Sequence, residues 1–539
     1  MRRSFRNLLT DSTGAVAPIV ALSLVGLIAI GGVAFDYARV ASMDTELQNA
    51  ADQAALAAAS QLDGNVDACS RANAAARQLV ANLTYMANDG NSDGQSVVVP
   101  NEPTCDATGS VRFYQNAAKT TAATNDSNAK FVEIAVAPRE AIYALTPIVA
   151  AFRSGNINAL AFAGLGEAYC KTPPVMICNP QETASSTDFN ASTLAGKGLR
   201  LVSVGGSGGT WAPGNFGYLD TGITSPNGAV DQLRAALGWE TPPGNCVQAT
   251  SVNTKPGANT TVTDALNTRF DIYQNDNTSC YGTGFCPAAA DSVKDVRRAA
   301  NATGNNACKF NSGGWNLPAG YYGSGSIPSS ATTALDSSIT PSAMGHPRDM
   351  CHAVASGTAG ACAGPIGDGN WDRDAYFRTN YRRSDGTYWT GGTGAGSWQG
   401  NTGLSSTAKR YDVYVWEMLH RTEVIDGVTI LGPTPAGATG STNVAYGSPV
   451  CGTPSIPGPL TPDRRKLTIA VVNCLEESVN GNSTGVVVKD WLDVFLVEPS
   501  INRERTSDGD VYVEVVGRSG NLSNSSAQQI KKAVPYLIE

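Results

Sequence analysis

The stretch that decides how this chain is organised is AVAPIVALSLVGLIAIGGVAF, residues 15–35. It is an apolar run of 21 residues without a single charge. At about 1.5 Å per residue, a helix of this length crosses a hydrocarbon core about 30 Å thick. Arg2, Arg3 and Arg6 lie on one side of the run, which by the positive-inside rule keeps the N-terminus in the cytoplasm. The sequence therefore predicts a cytoplasmic segment (1–14), one transmembrane helix (15–35) and an exported remainder.

Two other interpretations of this run stay open. A cleavable signal peptide has the same basic start, although its apolar core is usually about 7–15 residues long. Small residues at Gly32-Val33-Ala34 stand at plausible cleavage positions. A buried helix of a soluble domain is the other interpretation, and the length of the run and its basic flank argue against it.

The helical pattern continues past the apolar run to about residue 62. Apolar residues recur at steps of three and four, and seven of the ten residues from Ala50 to Ala59 are alanine, the strongest helix former. Ala50, Ala54 and Ala57 share one face, where small side chains allow close approach of another helix. This face is predicted to pack either on the chain's own domain or on a partner subunit.

Composition and charge indicate a globular exported protein that does not bind nucleic acid. Hydrophobic residues make up 42% of the chain and charged residues 16%, with a net charge of −8. The first 14 residues hold three arginines and one aspartate, a net of +2, so the remainder is near −10. That balance repels phosphate backbones.

All twelve cysteines follow the apolar run, which fits an oxidising compartment and disulfide bonds. Short loops are candidates for closure by the pairs Cys170/Cys178, Cys280/Cys286 and Cys351/Cys362, although connectivity cannot be read from spacing alone.

Beyond the long helix we expect an α+β fold. Residues 36–165 are predicted to form a mixed module, with further helices at 71–86 and 140–153 and strands at 96–99, 111–114 and 130–137. Residues 166–460 are rich in glycine, asparagine and serine, since only 10 of the 57 glycines precede residue 166; they predict a strand- and loop-rich, disulfide-braced region. Residues 461–539 are predicted to be strand-rich, ending in a short helix at 525–534.

We predict no catalytic residue, no cofactor-binding residue and no metal ligand. Gly205–Gly209 matches Gly-x-Ser-x-Gly, but the sequence Thr-Trp-Ala-Pro-Gly after it does not favour the helix that a nucleophile Ser207 would need. The three histidines, which are His346, His352 and His420, are too few and too widely spaced for a zinc site. The acid pairs Asp372/Asp374 and Glu476/Glu477 are typical of solvated loops.

Seven aromatic residues lie between residues 371 and 398 and leave two interpretations. They predict either a small core within the glycine-rich region or a surface that binds carbohydrate or a partner. The residues are Trp371, Tyr376, Phe377, Tyr381, Tyr388, Trp389 and Trp398.

Three segments within residues 11–62 carry a family resemblance: DSTGAVAPIVAL, FDYARV and LQNAADQAALAAA. They resemble the N-terminal region of the TadG-like proteins of Flp, or tight-adherence, pilus assembly, which are bacterial inner-membrane components. Ile19 departs from related pseudopilins, which carry a glutamate five positions after the processing glycine, so cleavage after Gly14 is not carried over. Asp336-Ser-Ser-Ile-Thr departs from the metal motif that some relatives carry, so metal-dependent adhesion is not carried over either.

The resemblance implies a single-pass, membrane-anchored, non-catalytic component of a pilus system, with its bulk in the periplasm. Its implied partners are the lipid bilayer and other pilus-assembly or envelope proteins, met through Ala50, Ala54 and Ala57. The alternative is an adhesin-like binding module of the envelope or cell surface, directed to carbohydrate by the aromatics of 371–398. An exported hydrolase, a third class, would need Ser207 or an acid pair with partners that the sequence does not display.

Overall fold

A computed structural model gives the fold of the chain, which divides into two compact units. The first comprises residues 1–167 and 533–539, and the second comprises residues 168–532. The structure describes residues 16–63, 65–79, 83–84, 95–146, 154–170, 174–203, 211–220, 222, 229–243, 247–255, 262–274, 284–311, 313–317, 334–352, 362, 364–434, 443–458, 461–480, 482–502, 509–519 and 530–538.

Helices and strands are numbered in chain order. The helices are α1 (Val16–Ala59), α2 (Ala68–Leu79), α3 (Ala229–Gly238), α4 (Asp264–Asn267), α5 (Arg373–Asn380), α6 (Trp398–Thr402) and α7 (Arg410–Leu419). The strands are β1 (Leu83–Thr84), β2 (Gln95–Ser96), β3 (Val111–Tyr114), β4 (Phe131–Ala135), β5 (Arg139–Ile142), β6 (Ser154–Ile157), β7 (Leu160–Cys170), β8 (Val175–Cys178), β9 (Gly198–Ser203), β10 (Asn215–Leu219), β11 (Val247–Gln248), β12 (Ser251–Val252), β13 (Thr254–Lys255), β14 (Ala288–Ala289), β15 (Arg297–Ala299), β16 (Trp315–Asn316), β17 (Val424–Ile425), β18 (Val428–Thr429), β19 (Pro433–Thr434), β20 (Asn443–Tyr446), β21 (Pro454–Ser455), β22 (Lys466–Val472), β23 (Val486–Leu496), β24 (Val511–Arg518) and β25 (Ile530–Leu537).

The first unit is built on the C-terminal half of α1. Leu47, Ala51 and Ala55 are fully buried there in one core with α2 and an antiparallel sheet in which β4 pairs with both β3 and β7. Val132 and Ile134 of β4 belong to the same core. The predicted strands at 111–114 and 130–137 are thus confirmed in outline. The helix predicted at 71–86 is confirmed only in its first part, because α2 ends at Leu79 and residues 83–84 form β1.

The predicted helix at 140–153 is wrong over its described residues. β5 pairs antiparallel with β6, from Arg139 opposite Ile157 to Ile142 opposite Ser154, so this segment forms a hairpin. Residues 147–153 lie outside the described residues. The pattern misled because the segment is apolar on most of its residues, which suits a helix and a buried hairpin equally well.

The second unit contains a sheet that closes on itself. Six strands follow one another in the order β22, β8, β10, β9, β24 and β23, and β23 pairs back with β22. The β22/β8 and β10/β9 pairs are parallel and the other pairs are antiparallel. Alternate residues, such as Leu467, Ile469 and Val471 of β22, share the apolar core of this barrel, as the period of two in a strand requires.

The closed sheet joins segments that the sequence placed in separate regions. β22, β23 and β24 come from residues 461–539, whereas β8, β9 and β10 come from residues 166–460. The predicted boundary at 460/461 is therefore not a division of the structure. The C-terminal helix predicted at 525–534 is also wrong where it is described, because residues 530–537 form β25, which pairs with β7.

Disulfide bonds brace both units. Cys69 bonds Cys105 in the first unit. In the second unit Cys351 bonds Cys362, as predicted from spacing, but Cys178 bonds Cys474 across the barrel strands β8 and β22 and not Cys170. Cys286 is also disulfide-bonded, while Cys280 lies outside the described residues. A further bond joins Cys308 and Cys451.

Candidate functional site

Helix α1 has two halves with opposite surroundings. It runs for 44 residues, or about 66 Å at about 1.5 Å per residue. Residues such as Leu22, Leu27 and Ile30 in its first half are exposed. The helix from Pro18 onward is long and apolar enough to cross a membrane, with a mean hydropathy of 2.3 in its most apolar stretch, of which only 6% is buried. This exposure fits a single-pass anchor, because a core helix would be covered by its own protein.

Asp36 marks the change between the two halves. Its side chain is only 3% exposed. Its Oδ1 accepts a hydrogen bond from the backbone N–H of Ala144 at 2.9 Å, and its Oδ2 accepts from Leu145 at 2.9 Å and from Thr146 at 2.7 Å. One carboxylate therefore satisfies three successive backbone donors with charge-assisted bonds. It fixes the start of the loop after β5 against the helix.

Gly32 allows this close approach. It lies one turn before Asp36 on the same face of α1, and it is buried, unlike most of its neighbours. A Cβ placed on Gly32 would lie 2.8 Å from the Cβ of Leu145, which is closer than two carbon atoms can pack. The helix and the loop therefore meet with the glycine backbone against a leucine side chain.

The alanine-rich face of α1 is covered by the chain's own module. Ala50 and Ala54 are buried in the core of the first unit, and Ala57 is half-buried. The Gln48 side chain, next to this face, donates to the Leu160 carbonyl at 3.0 Å. Of the two interpretations of this face, packing on its own domain is the one observed. Partner binding through Ala50 and Ala54 is not confirmed, because these side chains are already in contact with the core.

The aromatic residues between 371 and 398 form a core of the second unit. Six of the seven are buried, and Tyr388 is half-buried. Phe377 stacks on Trp398 with ring centroids 4.7 Å apart, and Tyr381 stacks on Trp389 at 4.6 Å. Rings packed on one another are not free to stack on a sugar, so the carbohydrate-binding interpretation of this cluster is not supported.

The histidines do not converge on one site. His352 lies 3.1 Å from the Tyr512 hydroxyl and 2.9 Å from the Gly364 carbonyl. It is close to Cys351 and Cys362, but these two are joined in a disulfide and so offer no thiolate to a metal. His346 is buried, and its burial lowers its pKa well below the ordinary value. His420 is half-buried and lies 2.9 Å from Glu423.

Members of both acid pairs have structural partners, and Asp372 is buried, so it is not the solvated loop acid that the sequence predicted. Asp372 caps α5 by accepting from the Ala375 N–H at 2.9 Å, and Asp374 accepts from the indole N–H of Trp398 at 2.7 Å. Glu476 pairs with Lys489 at 3.2 Å. Ser207 lies outside the described residues, so its role stays a prediction.

An unpredicted group of polar side chains surrounds Glu417 in the aromatic core. Its Oε1 accepts from the hydroxyls of Tyr376 at 2.6 Å and Tyr381 at 2.5 Å. Burial, and then the negative charge of Asp291, raises the pKa of Glu417 well above its ordinary value. Burial therefore favours the protonated, neutral form of this carboxyl group. Its fully buried position gives substrate no access, so we assign it to the stability of the core.

The sequence held weak signals for both unpredicted groups. Asp36 is the first charged residue after the apolar run, and this position marks the end of the run. It does not show that a loop more than a hundred residues away is the partner of Asp36. Glu417 follows the buried Val413 by four residues, so it lies on the buried face of α7. A glutamate at such a position needs hydrogen-bonding partners.

Comparison with known proteins bears on the same helix. Neither the curated proteins nor the solved structures include a match to the chain. One family model matches residues 14–61, which span the apolar run, Asp36 and the alanine-rich face. Together with the membrane-capable helix, this match supports an association with pilus assembly. By this region the chain resembles the family described as putative Flp pilus-assembly TadE/G-like.

Proposed function

We propose that the chain is a single-pass, non-catalytic structural component of a Flp-type pilus-assembly system, which holds its exported units at the bacterial inner membrane. The observation that carries the proposal is that one unbroken helix serves as both the apolar span and the core of the first exported unit. The family match covers this same helix. The three N-terminal arginines orient it with the N-terminus in the cytoplasm.

Membrane retention tests the anchor. The full chain is expressed in a bacterial host, membranes are extracted with alkaline carbonate, and the N-terminus of the product is sequenced. We expect the protein to stay in the membrane pellet with the apolar run intact. A soluble periplasmic product that begins near Phe35 would instead identify the run as a cleaved signal peptide and overturn the anchor.

A scaffolding role also requires partners, and we propose that they bind the solvent face of α1. Thr45 and Asn49 are exposed there, on the helix that carries the buried Ala54. This modifies the alanine-face hypothesis, since a partner of the folded unit meets the side of the helix that the core leaves open. The partners we propose are other pilus-assembly or envelope proteins.

Paired substitutions distinguish the two faces. Thr45→Arg and Asn49→Arg place charge and bulk on the open face and should reduce co-purification of envelope partners without changing the melting temperature of the chain. The matched control is Asp44→Arg, for which co-purification of the same partners is measured. Asp44 is also exposed, but it lies about a quarter turn from Thr45 around the helix, on the side away from Asn49. Full co-purification of partners with both variants would reject the open face as their binding surface.

A further inference from the structure

The hairpin formed by β5 and β6 ends beside the membrane-crossing part of α1. The base of the hairpin belongs to the core of the first unit, where Ala141 and Ile157 are buried. Its far end begins after Ile142, and the next residues run along the helix at Asp36 and Gly32. The hairpin therefore extends from the core of the unit to the level where the apolar run ends.

The depth of Leu145 follows from its contact with the helix. Its Cβ lies beside Gly32, which is four residues before Asp36, the first residue after the apolar run. At about 1.5 Å per residue, this position is about 6 Å from Asp36 along the helix axis, within the run. If the run spans the bilayer, Leu145 lies at the edge of the hydrocarbon region.

The side chains at this end of the hairpin suit such a position. Ile142 is 40% exposed and Leu145 is 39% exposed. Phe35 on the helix is 53% exposed, and Tyr37 is also exposed, as is typical of aromatic residues at a membrane–water interface. The printed sequence carries no charged residue between Glu140 and Arg153. In water these apolar groups would stay uncovered, whereas a bilayer would cover them.

The hydrogen bonds of Asp36 suit the same position. Irregular backbone at membrane depth is tolerated only where its N–H and C=O groups find partners, because lipid tails offer none. Ala144, Leu145 and Thr146 present three successive N–H groups, and all three bond to the Asp36 carboxylate. The carboxylate thereby removes the cost of bringing these donors to the bilayer.

We propose that the end of this hairpin is a second membrane contact: Ile142 and Leu145 enter the outer edge of the bilayer beside α1, and Asp36 holds them there. The occupant of this apolar surface is lipid. The inference rests on the membrane-anchored role proposed above. It adds that the first unit lies on the membrane through two segments instead of one.

Site-specific photo-crosslinking to lipid tests the contact. The full chain carries p-benzoylphenylalanine at one position at a time and is reconstituted in vesicles of phosphatidylethanolamine and phosphatidylglycerol. Position 142 tests the hairpin and position 35 tests the helix. Position 66 is the matched control, because Val66 is an apolar residue of the same unit that is 79% exposed beyond the far end of α1. After irradiation, lipid adducts are measured by mass spectrometry.

We expect adducts at position 142 to exceed those at position 66 about tenfold and to approach those at position 35, because only lipid-facing positions meet acyl chains. Adducts at 35 with none above control at 142 would overturn the hairpin contact and leave the anchor standing. An absence of adducts at 35 as well would overturn the anchor and the inference together. Crosslinks from 142 to protein in place of lipid would show that the occupant is a subunit and would also overturn the inference.

The part assigned to Asp36 has its own readout. In the Asp36→Ala background, adducts at 142 should fall about fivefold, since the loop donors lose their acceptor, while adducts at 35 stay unchanged. Unchanged adducts at 142 would show that the carboxylate does not hold the hairpin at the bilayer. Ile142→Glu and Val66→Glu form a second pair without the bulky probe: only the first should lower protection of the hairpin from added protease in vesicles.

Discussion

Removing the Asp36 carboxylate should release the loop after β5 from α1. In Asp36→Ala the N–H groups of Ala144, Leu145 and Thr146 lose the carboxylate that accepts from them at 2.7 to 2.9 Å in the native protein. An intramolecular hydrogen bond contributes about 0.5–1.5 kcal/mol. Taking about 1 kcal/mol for each donor, the free energy of local opening should fall by about 3 kcal/mol.

Hydrogen exchange measures this local opening directly. Each 1.4 kcal/mol corresponds to about a tenfold change in an equilibrium constant, so exchange of these three amides should accelerate about a hundredfold. Asp36→Asn keeps one acceptor oxygen and loses the charge, and we expect about a tenfold acceleration. The assay is deuterium exchange of the full chain in detergent micelles, resolved to single amides by electron-transfer fragmentation.

Two controls make the result specific. Amides of β4 in the same unit, at Val132 and Ile134, should keep their protection, which shows that the fold survives. Asp44→Ala removes an exposed acid from the same helix and should leave exchange at residues 144–146 unchanged. If Asp36→Ala accelerates these amides by less than about threefold, the carboxylate contributes little and the reasoning from satisfied donors is refuted.

Three further changes test the packing of the units. Ala54→Leu overpacks a fully buried position and should destabilise the first unit by about 1–3 kcal/mol, measured by urea unfolding followed by far-UV circular dichroism, while envelope partners still co-purify. Unchanged stability with loss of the partners would instead mean that this face of α1 binds them. Glu417→Gln mimics the neutral acid. Since burial raises the folded-state pKa above the ordinary 4.5, native stability falls as pH rises above about 4.5, and the melting temperature of the variant relative to the native chain should rise with pH above that value. A difference that stays constant with pH would show that the folded-state pKa of Glu417 is not raised. Replacing Cys178 and Cys474 by serine removes a disulfide that closes a loop of 296 residues and should lower the free energy of unfolding by about 4 kcal/mol. Urea unfolding followed by tryptophan fluorescence measures this loss in the second unit, because all eight tryptophans lie within it. An unchanged urea midpoint would show that the disulfide adds nothing to stability.

The sequence predicts best where the decisive signal is local. Helix α1 was predictable because its apolar run and its alanine pattern lie in consecutive residues and need no distant partner to be recognised. Strand β3 was predicted at residues 111–114, where the structure places it. The core interpretation of the aromatics around Phe377 followed from composition alone. One of the candidate short-loop pairs, Cys351 and Cys362, is a bond in the structure, and its two cysteines are only 11 residues apart.

The predictions that were wrong depend on contacts far apart in the chain. The loop that follows residues 139–142 is held by Asp36, more than a hundred residues earlier. Residues 530–537 form a strand because β7 offers an edge over 350 residues upstream. Cys178 reaches Cys474 only because β8 and β22 are neighbours in the barrel. Propensity and spacing contain no information about such partners, so tertiary pairing overrides them.

Nothing in the backbone of α1 separates its apolar, membrane-capable half from the half that packs in the first unit. From Val33 to Asp63 the sequence has neither glycine nor proline, so the helix has no residue at which it would readily bend or end. Asp36 fixes the loop of the hairpin on one side of the helix, and buried alanines such as Ala51 and Ala55 fix the core against the same helix further on. These contacts set both the tilt and the rotation of the first unit about the helix axis. A flexible linker would let the first unit turn independently of the apolar half of the helix, whereas here a force on the first unit is passed to the membrane-capable segment through the helix itself. A rigid connection of this kind is what the scaffold role proposed above requires, and it gives Asp36 a physical reason to lie where the apolar run ends.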